Sequence, residues 1–291
     1  MKKIKIIIPI YNDWQSVFKL LENINNEVLN LDAEFSIIVV NDASTEVTPE
    51  INLNLNNIKF IQVINMKENR GHARCIAAGL KYIFENEEFD YVIPMDGDGE
   101  DRPEEIRDFI DSLNYNPDKA IVGERIKRSE GMFFKFSYFV HKIITFTFTG
   151  ESIKYGNYTC LPKSIVEKMI NEKATWSSFS GSLAKVAKDR AIVSSERGTR
   201  YFGPSKMSFK NLIVHSLSII SVFKINVLIR SILFLLVYMF LIHQNITAIM
   251  LTPIILVVAL IASVLIVSER ENLDEQNNSL SNILNIEKIK L

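Results

Sequence analysis

The stretch Tyr91-Val-Ile-Pro-Met-Asp-Gly-Asp-Gly-Glu-Asp-Arg-Pro-Glu-Glu-Ile106 decides the fold of this chain. Its first five residues are apolar and predict a buried strand, which ends where carboxylates begin to alternate with glycines. Pro103 suits the first position of a helix, and Glu104 and Glu105 suit its first turn, where the helix dipole favours negative charge. The stretch therefore predicts a strand, an acidic loop and a helix, in that order.

The acidic loop has the chemistry of a metal site. Asp98 and Glu100 lie two residues apart beside glycines, which allow the backbone to approach a ligand closely. Ligands that offer only oxygen atoms favour Mg²⁺ or Mn²⁺ over zinc. A single Asp-x-Asp is more simply interpreted as a solvated acidic turn, so the rest of the chain has to decide between the two.

Apolar runs alternate with helical patterns before this stretch, which predicts a mostly parallel α/β sheet flanked by helices. Asp13, Asp42 and Asp96 each follow one of the predicted strands. Because ligands bind beyond the carboxyl ends of parallel strands, we expect these carboxylates to share one site. Neither a G-x-G-x-x-G nor a P-loop pattern occurs, which argues against a dinucleotide fold and excludes a P-loop. We predict strands at residues 5–10, 35–40, 58–64 and 91–95.

The overall composition narrows the function further. The 291 residues carry a net charge of −1, so we expect no nucleic-acid partner. The two cysteines do not form a disulfide framework, and the four histidines show no metal-ligand spacing. The first ten residues resemble a signal peptide, but Pro9 and the polar residues that follow favour a first strand.

Two apolar runs, 225–242 and 246–267, each approach the ~20 residues needed to cross a bilayer. Lysines and arginines flank their outer ends, and the three-residue connection at His243 has none. The positive-inside rule therefore predicts a multi-pass protein of the cytoplasmic (inner) membrane with both termini in the cytoplasm. Arg230, near the start of the first run, can extend to the interface. The alternative is a buried helical pair in a soluble protein.

The ordered motifs along the chain resemble a known family. Its members are the inverting glycosyltransferases of family 2, which have the GT-A fold. Within that family, the chain most resembles the polyprenyl-phosphate sugar transferases, such as dolichol-phosphate mannose synthase and the bactoprenol glucosyltransferases. The resemblance covers residues 4 to about 267. It rests on Ile8-Pro-Ile-Tyr-Asn-Asp13, Val40-Asn-Asp-Ala-Ser44, Asn69-Arg-Gly71, Met95 to Glu104, Val122-Gly-Glu-Arg-Ile-Lys-Arg128 and Arg200-Tyr-Phe-Gly-Pro-Ser-Lys206.

This resemblance implies a role for each matched residue. Asp98 and Glu100 would hold Mg²⁺ or Mn²⁺ on the donor diphosphate, with Glu100 in place of the family's usual Gln. Asp96, Asp98, Arg125 and Arg200 would be catalytic. The donor would be bound by Pro9, Tyr11, Asp13, Asp42, Asn69, Gly71 and Asp96. The acceptor or its phosphate would be bound by Arg125, Arg128, Asn157, Arg200, Ser205 and Lys206. Without the motifs, Arg125, Arg128 and Lys206 would be interpreted as ordinary surface charge.

Asn157 departs from the family pattern. Related chains commonly carry an acidic residue at this place, in a Gly-Asp-Phe-type segment, whereas this chain reads Tyr155-Gly-Asn-Tyr-Thr-Cys160. Asn cannot act as a general base, which a sugar hydroxyl acceptor needs. A phosphate monoester is already largely anionic at pH 7. Unless the alignment is shifted here, Asn157 favours a lipid-phosphate acceptor.

We expect four parts along the chain. Residues 1–210 form a cytoplasmic catalytic domain, in which the aromatic-rich segment 131–150 lies either in the membrane interface or against the core. Residues 205–224 form a juxtamembrane amphipathic helix, and 225–267 form the transmembrane hairpin. The polar cytoplasmic tail, 268–291, contains at most a short helix at residues 280–289.

The sequence thus predicts a metal-dependent, inverting hexosyltransferase that moves a sugar from a nucleotide-diphospho-sugar to polyprenyl phosphate for cell-surface glycan synthesis. Its expected partners are the donor, the lipid acceptor, the bilayer and, in a homo-oligomer, copies of itself. Three alternatives remain open. One is an enzyme that extends a surface polysaccharide or a lipid-linked oligosaccharide. A nucleotidyltransferase is disfavoured because no Gly-rich loop follows the first strand. The last is a non-catalytic nucleotide-sugar binding or scaffold subunit.

Overall fold

The computed structural model describes residues 1–46, 53–127, 132–204 and 208–289. Arg128, Ser205 and Lys206, three of the predicted phosphate-binding residues, lie outside the described residues. The chain divides into two compact units. The first comprises residues 1–129, 154–206 and 272–291, and the second comprises residues 130–153 and 207–271.

A mixed sheet forms the centre of the first unit. Its described strands are β1 (Lys2–Ile10), β2 (Ala33–Asn41), β3 (Ile61–Met66), β4 (Tyr91–Pro94), β5 (Ala120–Lys127), β6 (Tyr155–Pro162), β7 (Arg190–Glu196) and β8 (Ile283–Ile289). In the described part of the chain their order in the sheet is β7-β5-β6-β4-β1-β2-β3-β8. β1, β2, β3 and β4 are parallel where they pair, as predicted for their alternation with helices.

Helices cover both faces of this sheet. Isoleucine, valine and leucine side chains fill the core on each face, because central parallel strands are buried on both sides. Pro103 begins a short 3₁₀ helix, Pro103–Glu105, as its position after the acidic loop predicted. The α-helices of this unit are α1 (Trp14–Glu27), α2 (His72–Asn86), α3 (Ile106–Leu113), α5 (Lys163–Ile170), α6 (Phe179–Val186) and α10 (Leu273–Asn277).

The C-terminal segment differs from the sequence prediction. The short helix expected at 280–289 is wrong, because Ile283–Ile289 forms β8 and pairs antiparallel with β3. Gln276, at the end of α10, is fully buried and donates to the Ile170 carbonyl at 2.7 Å. The segment that follows the apolar helices is therefore an integral part of the first unit.

Helices make up the described part of the second unit: α4 (Met132–Thr149), α7 (Phe209–Ser221), α8 (Lys224–Ile242) and α9 (Thr252–Ser268). The segment 131–150, expected within the catalytic domain, thus falls mostly in the second unit. α8 and the segment Ile249–Asn277, which contains α9, are long and apolar enough to cross a membrane. Large apolar side chains on both helices are exposed, such as Leu236 at 66% and Ile266 at 72%. This exposure argues against the buried pair of a soluble protein.

Polar residues at the start of α8 bind the end of α4. Arg230 Nη1 donates to the Thr147 carbonyl at 3.0 Å, and Asn226 Nδ2 donates to the Thr149 carbonyl at 3.0 Å. Gly150 has φ +81°, and a Cβ there would lie 2.6 Å from Arg230 Nη2. A cation suits a helix C-terminus, where unpaired carbonyls carry negative partial charge. Arg230 therefore caps α4, a role that its place in the apolar run did not predict.

Candidate functional site

The carboxyl ends of β1, β2 and β4 lie side by side at one edge of the sheet, as the sequence predicted for the aspartates that follow them. The turns after β1 and β2 contain two left-handed residues, Asn12 (φ +51°) and Ala43 (φ +54°). Such conformations are uncommon outside glycine and persist where surrounding contacts hold them. The loops at this edge are therefore tightly specified.

The acidic turn from Asp96 to Asp101 is folded by its own carboxylates. Asp101 Oδ2 accepts from the Asp96 amide at 2.9 Å, and Asp98 Oδ1 accepts from the Glu100 amide at 2.9 Å. Gly99 between them has φ +89°, and a Cβ there would meet the Tyr201 ring at 2.6 Å. Glycine is thus required at this position both for the backbone conformation and for the close approach of Tyr201.

An arginine segment, Arg197–Tyr201, lies against this turn. Arg200 binds the carboxylate of Asp98 and, at 2.7 Å, that of Asp13, while Arg197 binds the carboxylate of Glu100. The segment is also fixed through its backbone, since the Tyr201 amide donates to the Asp98 carbonyl at 2.9 Å. Two guanidinium groups and three carboxylates are therefore concentrated in one place.

His72 and Asn157 form the other side of the acidic turn. His72 is the first residue of α2, and its Nε2 lies 3.1 Å from Asp96 Oδ1 and 2.9 Å from Asn157 Nδ2. The His72 side chain is 47% exposed and the Asp96 side chain is 25% exposed, so the group is accessible. Asn157 thus faces the predicted donor-binding Asp96 directly.

Arg125 approaches the acidic turn from β5. Its Nη2 lies 3.6 Å from Asp101 Oδ1. Gly156, next to Asn157, leaves room for it, because a Cβ there would lie 3.2 Å from Arg125 Nη2. Arg125, Arg200 and His72 therefore surround the same acidic turn, each next to a different carboxylate.

Burial and neighbouring charges shift the pKa values of the carboxyl groups in the acidic turn in opposite directions. Burial and the Asp96 charge raise the pKa of Asp98 to about 6. Burial and the Asp96 charge likewise raise the pKa of Asp101. Burial also opposes ionisation of Asp96, but the charges of His72 and Arg125 hold its pKa well below its usual range. Desolvation acts to lower the pKa of His72, and the negative charge of Asp96 outweighs it, so that pKa is raised.

Asp42 organises the loop that precedes α2. Its Oδ1 accepts from the Arg70 amide and its Oδ2 from the Gly71 amide, both at 2.8 Å. Gly71 has φ +92°, which suits glycine. Asp42 therefore shapes the Asn69–Gly71 loop. Both Asp42 and this loop were predicted to contact the donor.

The remaining predicted donor residues lie at the same edge. Pro9 is in β1, paired with Val40 of β2, and Tyr11 is 43% exposed just beyond the strand. Asn69 is exposed in the loop before α2. These positions are compatible with the roles that the resemblance implies, and those roles stay predictions.

Several site residues were not assigned a role from the sequence: His72, Asp101, Arg197 and Tyr201. Asp101 and Arg197 could have been suspected, because one belongs to the acidic stretch and the other lies three residues before Arg200. His72 carried a weaker signal, namely its place at the start of the helix that follows a parallel strand. Its partner Asn157 is 85 residues away, so the pair depends on the fold.

The acidic turn fits a hard divalent cation of the Mg²⁺ type. No group of three or more His, Cys, Asp or Glu side chains suited to a metal is present among the residues that the structure describes. Two carboxylates are enough for a cation that retains waters and binds substrate phosphates. Burial and the neighbouring Asp96 charge raise the pKa of Asp98, and a bound cation would favour its ionised form against both. Asp98 and Glu100 are therefore the residues that could hold it.

Comparison with known proteins identifies the family of the chain. The model of the family described as "Glycosyl transferase family 2" matches residues 5–169. Two curated relatives are undecaprenyl-phosphate 4-deoxy-4-formamido-L-arabinose transferases. The one from Photorhabdus laumondii is 30% identical over 223 residues, and the one from Proteus mirabilis is 29% identical over 224. Each match covers 73% of this chain but only 65% of the relative, so the chain spans less than two thirds of these proteins.

Solved structures are similar in fold at low sequence identity. Glucosyl-3-phosphoglycerate synthase from Mycobacterium tuberculosis, in complex with Mn²⁺, UDP and glucosyl-3-phosphoglycerate, has a TM-score of 0.55 at 13% identity. That match covers 77% of this chain and 80% of the other. A mannosyltransferase from Pyrobaculum calidifontis, in complex with GDP-Man and Mn²⁺, has a TM-score of 0.51 at 16% identity and covers 91% of this chain and 74% of the other. The fold is thus that of the GT-A glycosyltransferases, and the chain belongs to glycosyl transferase family 2.

Proposed function

We propose that this protein is a membrane-bound, metal-dependent, inverting glycosyltransferase. It moves a sugar from a nucleotide-diphospho-sugar to polyprenyl phosphate, for the synthesis of cell-surface glycans. The names of the relatives, undecaprenyl-phosphate sugar transferases, support the acceptor class. The observation that carries the proposal is the cluster at the sheet edge, where Arg200 and Arg197 bind the carboxylates of the predicted metal turn.

This cluster suits a diphosphate leaving group. A nucleoside diphosphate leaves with extra negative charge, and fixed positive groups stabilise it as that charge develops. Arginine is well suited because its planar guanidinium can bind two phosphate oxygens at once. Arg200 is held by Asp98 and Asp13 at the edge where the donor diphosphate is expected. Asp98 and Glu100 would hold Mg²⁺ or Mn²⁺, whose positive charge would further neutralise the diphosphate.

The chemistry is a single displacement at the anomeric carbon. A phosphate oxygen of the acceptor forms the new bond from the face opposite the leaving group, and the bond from the anomeric carbon to the donor β-phosphate oxygen breaks. The electron pair leaves with the nucleoside diphosphate, so configuration inverts and no proton has to be removed from an acceptor that is already ionised. Asp96 would orient the donor sugar through its hydroxyl groups.

The surroundings of Asn157 favour the phosphate acceptor. A hydroxyl acceptor needs a base to take its proton, and an amide cannot provide one. The neighbouring groups instead include His72, whose pKa is raised, and Arg125 on β5. The permanent positive charge of Arg125, beside Gly156, attracts an acceptor that carries between one and two negative charges. This is what distinguishes the proposal from transfer to a sugar hydroxyl.

The fold also supports a membrane hairpin with both ends on one side. Residues before and after the two apolar helices belong to the same unit, and β8 pairs with β3 in one sheet. A chain that crosses a bilayer between them must cross an even number of times, since otherwise the sheet could not form. Together with the basic residues at the outer ends of the hairpin, this supports the proposal that both ends lie on the cytoplasmic side of the inner membrane.

Two other functions remain distinguishable. An enzyme that extends a surface polysaccharide would need a base near the acceptor, and because Asn157 cannot act as one, His72 or Asp96 would have to take that role. A non-catalytic nucleotide-sugar binding subunit would not need the full set of charged groups found around the acidic turn. Neither alternative accounts for the cluster as well as phosphate-directed transfer does.

The test is a transfer assay with purified full-length protein in detergent. Polyprenyl phosphate is incubated with a panel of labelled nucleotide sugars, with and without Mg²⁺ or Mn²⁺. We expect one donor to yield a labelled lipid that mild acid cleaves. Label that appears in an acid-stable oligosaccharide, with polyprenyl phosphate inert, would instead favour the glycan-extending enzyme. Nucleotide-sugar binding without any transfer would favour the scaffold subunit.

A further inference from the structure

A relay of hydrogen-bonded amide side chains, those of Asn285, Asn65 and Asn41, connects the C-terminal strand to the predicted nucleotide loops. Asn65 Nδ2, on β3, donates to Asn285 Oδ1 on β8 at 2.7 Å and to Glu287 Oε1 at 3.1 Å. Asn65 Oδ1 accepts from Asn41 Nδ2 at 2.8 Å, and Asn41 lies at the end of β2. Asn41 and Asn65 are both buried, so the bond between them is costly to break, whereas the bonds to Asn285 and Glu287 are partly buried.

The relay continues into both loops at the site edge. Asn41 Oδ1 accepts from the Ser44 amide at 3.0 Å. Ser44 Oγ in turn accepts from the Asn12 amide at 2.9 Å. Asn12 and Ala43 are the two left-handed residues in these loops. The relay therefore ends at two turns whose left-handed backbone conformation has to be held by surrounding contacts.

The direction of the relay is fixed from its C-terminal end. The ionised carboxylate of Glu287 can only accept hydrogen bonds, so Asn65 must turn its NH₂ group towards β8. That leaves Asn65 Oδ1 for the NH₂ group of Asn41, and it leaves Asn41 Oδ1 for the Ser44 amide. If the side-chain amide of Asn41 or Asn65 rotated by 180°, two donors or two acceptors would face each other between buried residues. Glu287 at one end and the Ser44 amide at the other therefore require the same orientation of both amides.

We infer that Asn285 and Glu287, which follow both apolar helices in the chain, are positioning residues for the nucleotide part of the donor. They act through Asn65 and Asn41 on the turns at Asn12 and Ala43. The inference rests on the proposed function, because the resemblance is what assigns the base and ribose to Tyr11, Asp13 and Asp42. Nothing in the pattern of the polar tail indicated such a role.

The experiment uses the full-length protein in detergent micelles with point variants of β8. Asn285→Ala removes the acceptor for one of the two Nδ2 hydrogens of Asn65 and leaves Glu287 to accept the other, whereas Asn285→Asp keeps an acceptor oxygen at the same place. Leu284→Ala is the matched control, because Leu284 is the neighbouring residue on β8 and its side chain is 65% exposed. For each variant, binding of UDP and GDP is measured by calorimetry, and KM for donor and acceptor, kcat and Tm are measured alongside.

We expect Asn285→Ala to raise the nucleotide Kd and the donor KM by roughly three- to tenfold, as for the loss of one partly buried hydrogen bond. The acceptor KM and kcat should stay within about twofold, and Asn285→Asp and Leu284→Ala should resemble the parent protein. The inference is overturned if Asn285→Ala behaves like Leu284→Ala. It is also overturned if donor KM, acceptor KM and kcat all worsen together with Tm, since that pattern indicates general destabilisation.

The two proposals fail separately. If the parent protein transfers no sugar but Asn285→Ala weakens nucleotide binding, the positioning role stands and the proposed transfer falls. If transfer is observed and the donor KM is unchanged in Asn285→Ala, the transfer stands and the positioning role falls. If the parent protein binds neither nucleotide and uses neither type of donor, both are overturned.

Discussion

Replacing Asn157 with aspartate tests the acceptor class most sharply among single substitutions. The change keeps the shape of the side chain and restores the acidic residue common in related chains. The new carboxylate would lie about 3 Å from His72 Nε2, where Asn157 Nδ2 now lies at 2.9 Å. It would therefore add one negative charge beside the group that we expect to attract the acceptor phosphate.

The size of the effect follows from Coulomb's law. A unit charge about 6 Å from a phosphate of charge about −1.5 gives roughly 4 kcal/mol at an effective dielectric constant of about 20. His72 offsets part of this repulsion, and solvent screens the half-exposed site, so about 1–3 kcal/mol should remain. We therefore expect kcat/KM for polyprenyl phosphate to fall by roughly 5- to 100-fold in Asn157→Asp.

The assay measures initial rates against polyprenyl phosphate at low and high salt. A repulsive charge effect shrinks as ionic strength rises, which separates it from a steric effect. Asn157→Ser is the control, because it removes the amide without adding charge. If Asn157→Asp is as active as the parent, the charge argument for a phosphate acceptor is refuted, and if it is more active, the acceptor requires a base.

Three further predictions concern the metal turn, the glycine beneath Tyr201 and the membrane hairpin. Asp98→Asn should lower turnover by orders of magnitude without unfolding the protein, and excess chelator should abolish activity that Mg²⁺ or Mn²⁺ restores; full activity in chelator contradicts a metal role. Gly99→Ala should lower the free energy of unfolding by about 1–3 kcal/mol more than Gly203→Ala. Both glycines have positive φ, but only Gly99 lies against a ring, so equal losses in chemical denaturation would contradict the packing. A cysteine at Gln244 should be labelled from outside the cell, and one at Asn277 only after permeabilisation; Cys75 and Cys160 are buried and should not react.

Local patterns were sufficient for the first four strands and the acidic turn, but they did not predict β5, β6, β7 or β8. The apolar run before Asp96 and the alternation of strands with helices placed the carboxylates at one sheet edge, as the structure shows. These features depend on residues close in sequence or on the general geometry of parallel sheets. The pairing of Arg197 and Arg200 with carboxylates about a hundred residues earlier depends on the whole fold and could not be derived from spacing.

The C-terminal strand, β8, could not be predicted from the residues close to it in sequence. Ile283–Ile289 is short, and its mixture of apolar and charged residues suits a helix turn or an edge strand about equally well. Its partner, β3, precedes it by more than two hundred residues, so nothing nearby in sequence reveals the pairing. The relay from Asn285 to Asn41 was invisible for the same reason.

The measurement that tests the central claim most directly is the mass of the lipid product. Purified protein, polyprenyl phosphate, the active nucleotide sugar and the divalent cation are incubated together, and the lipid fraction is analysed by mass spectrometry. Transfer to polyprenyl phosphate predicts a lipid heavier than the acceptor by one glycosyl residue, still with a single phosphate, and absent with Asp98→Asn. A product with a second phosphate, or a sugar added only to an oligosaccharide, would contradict the account.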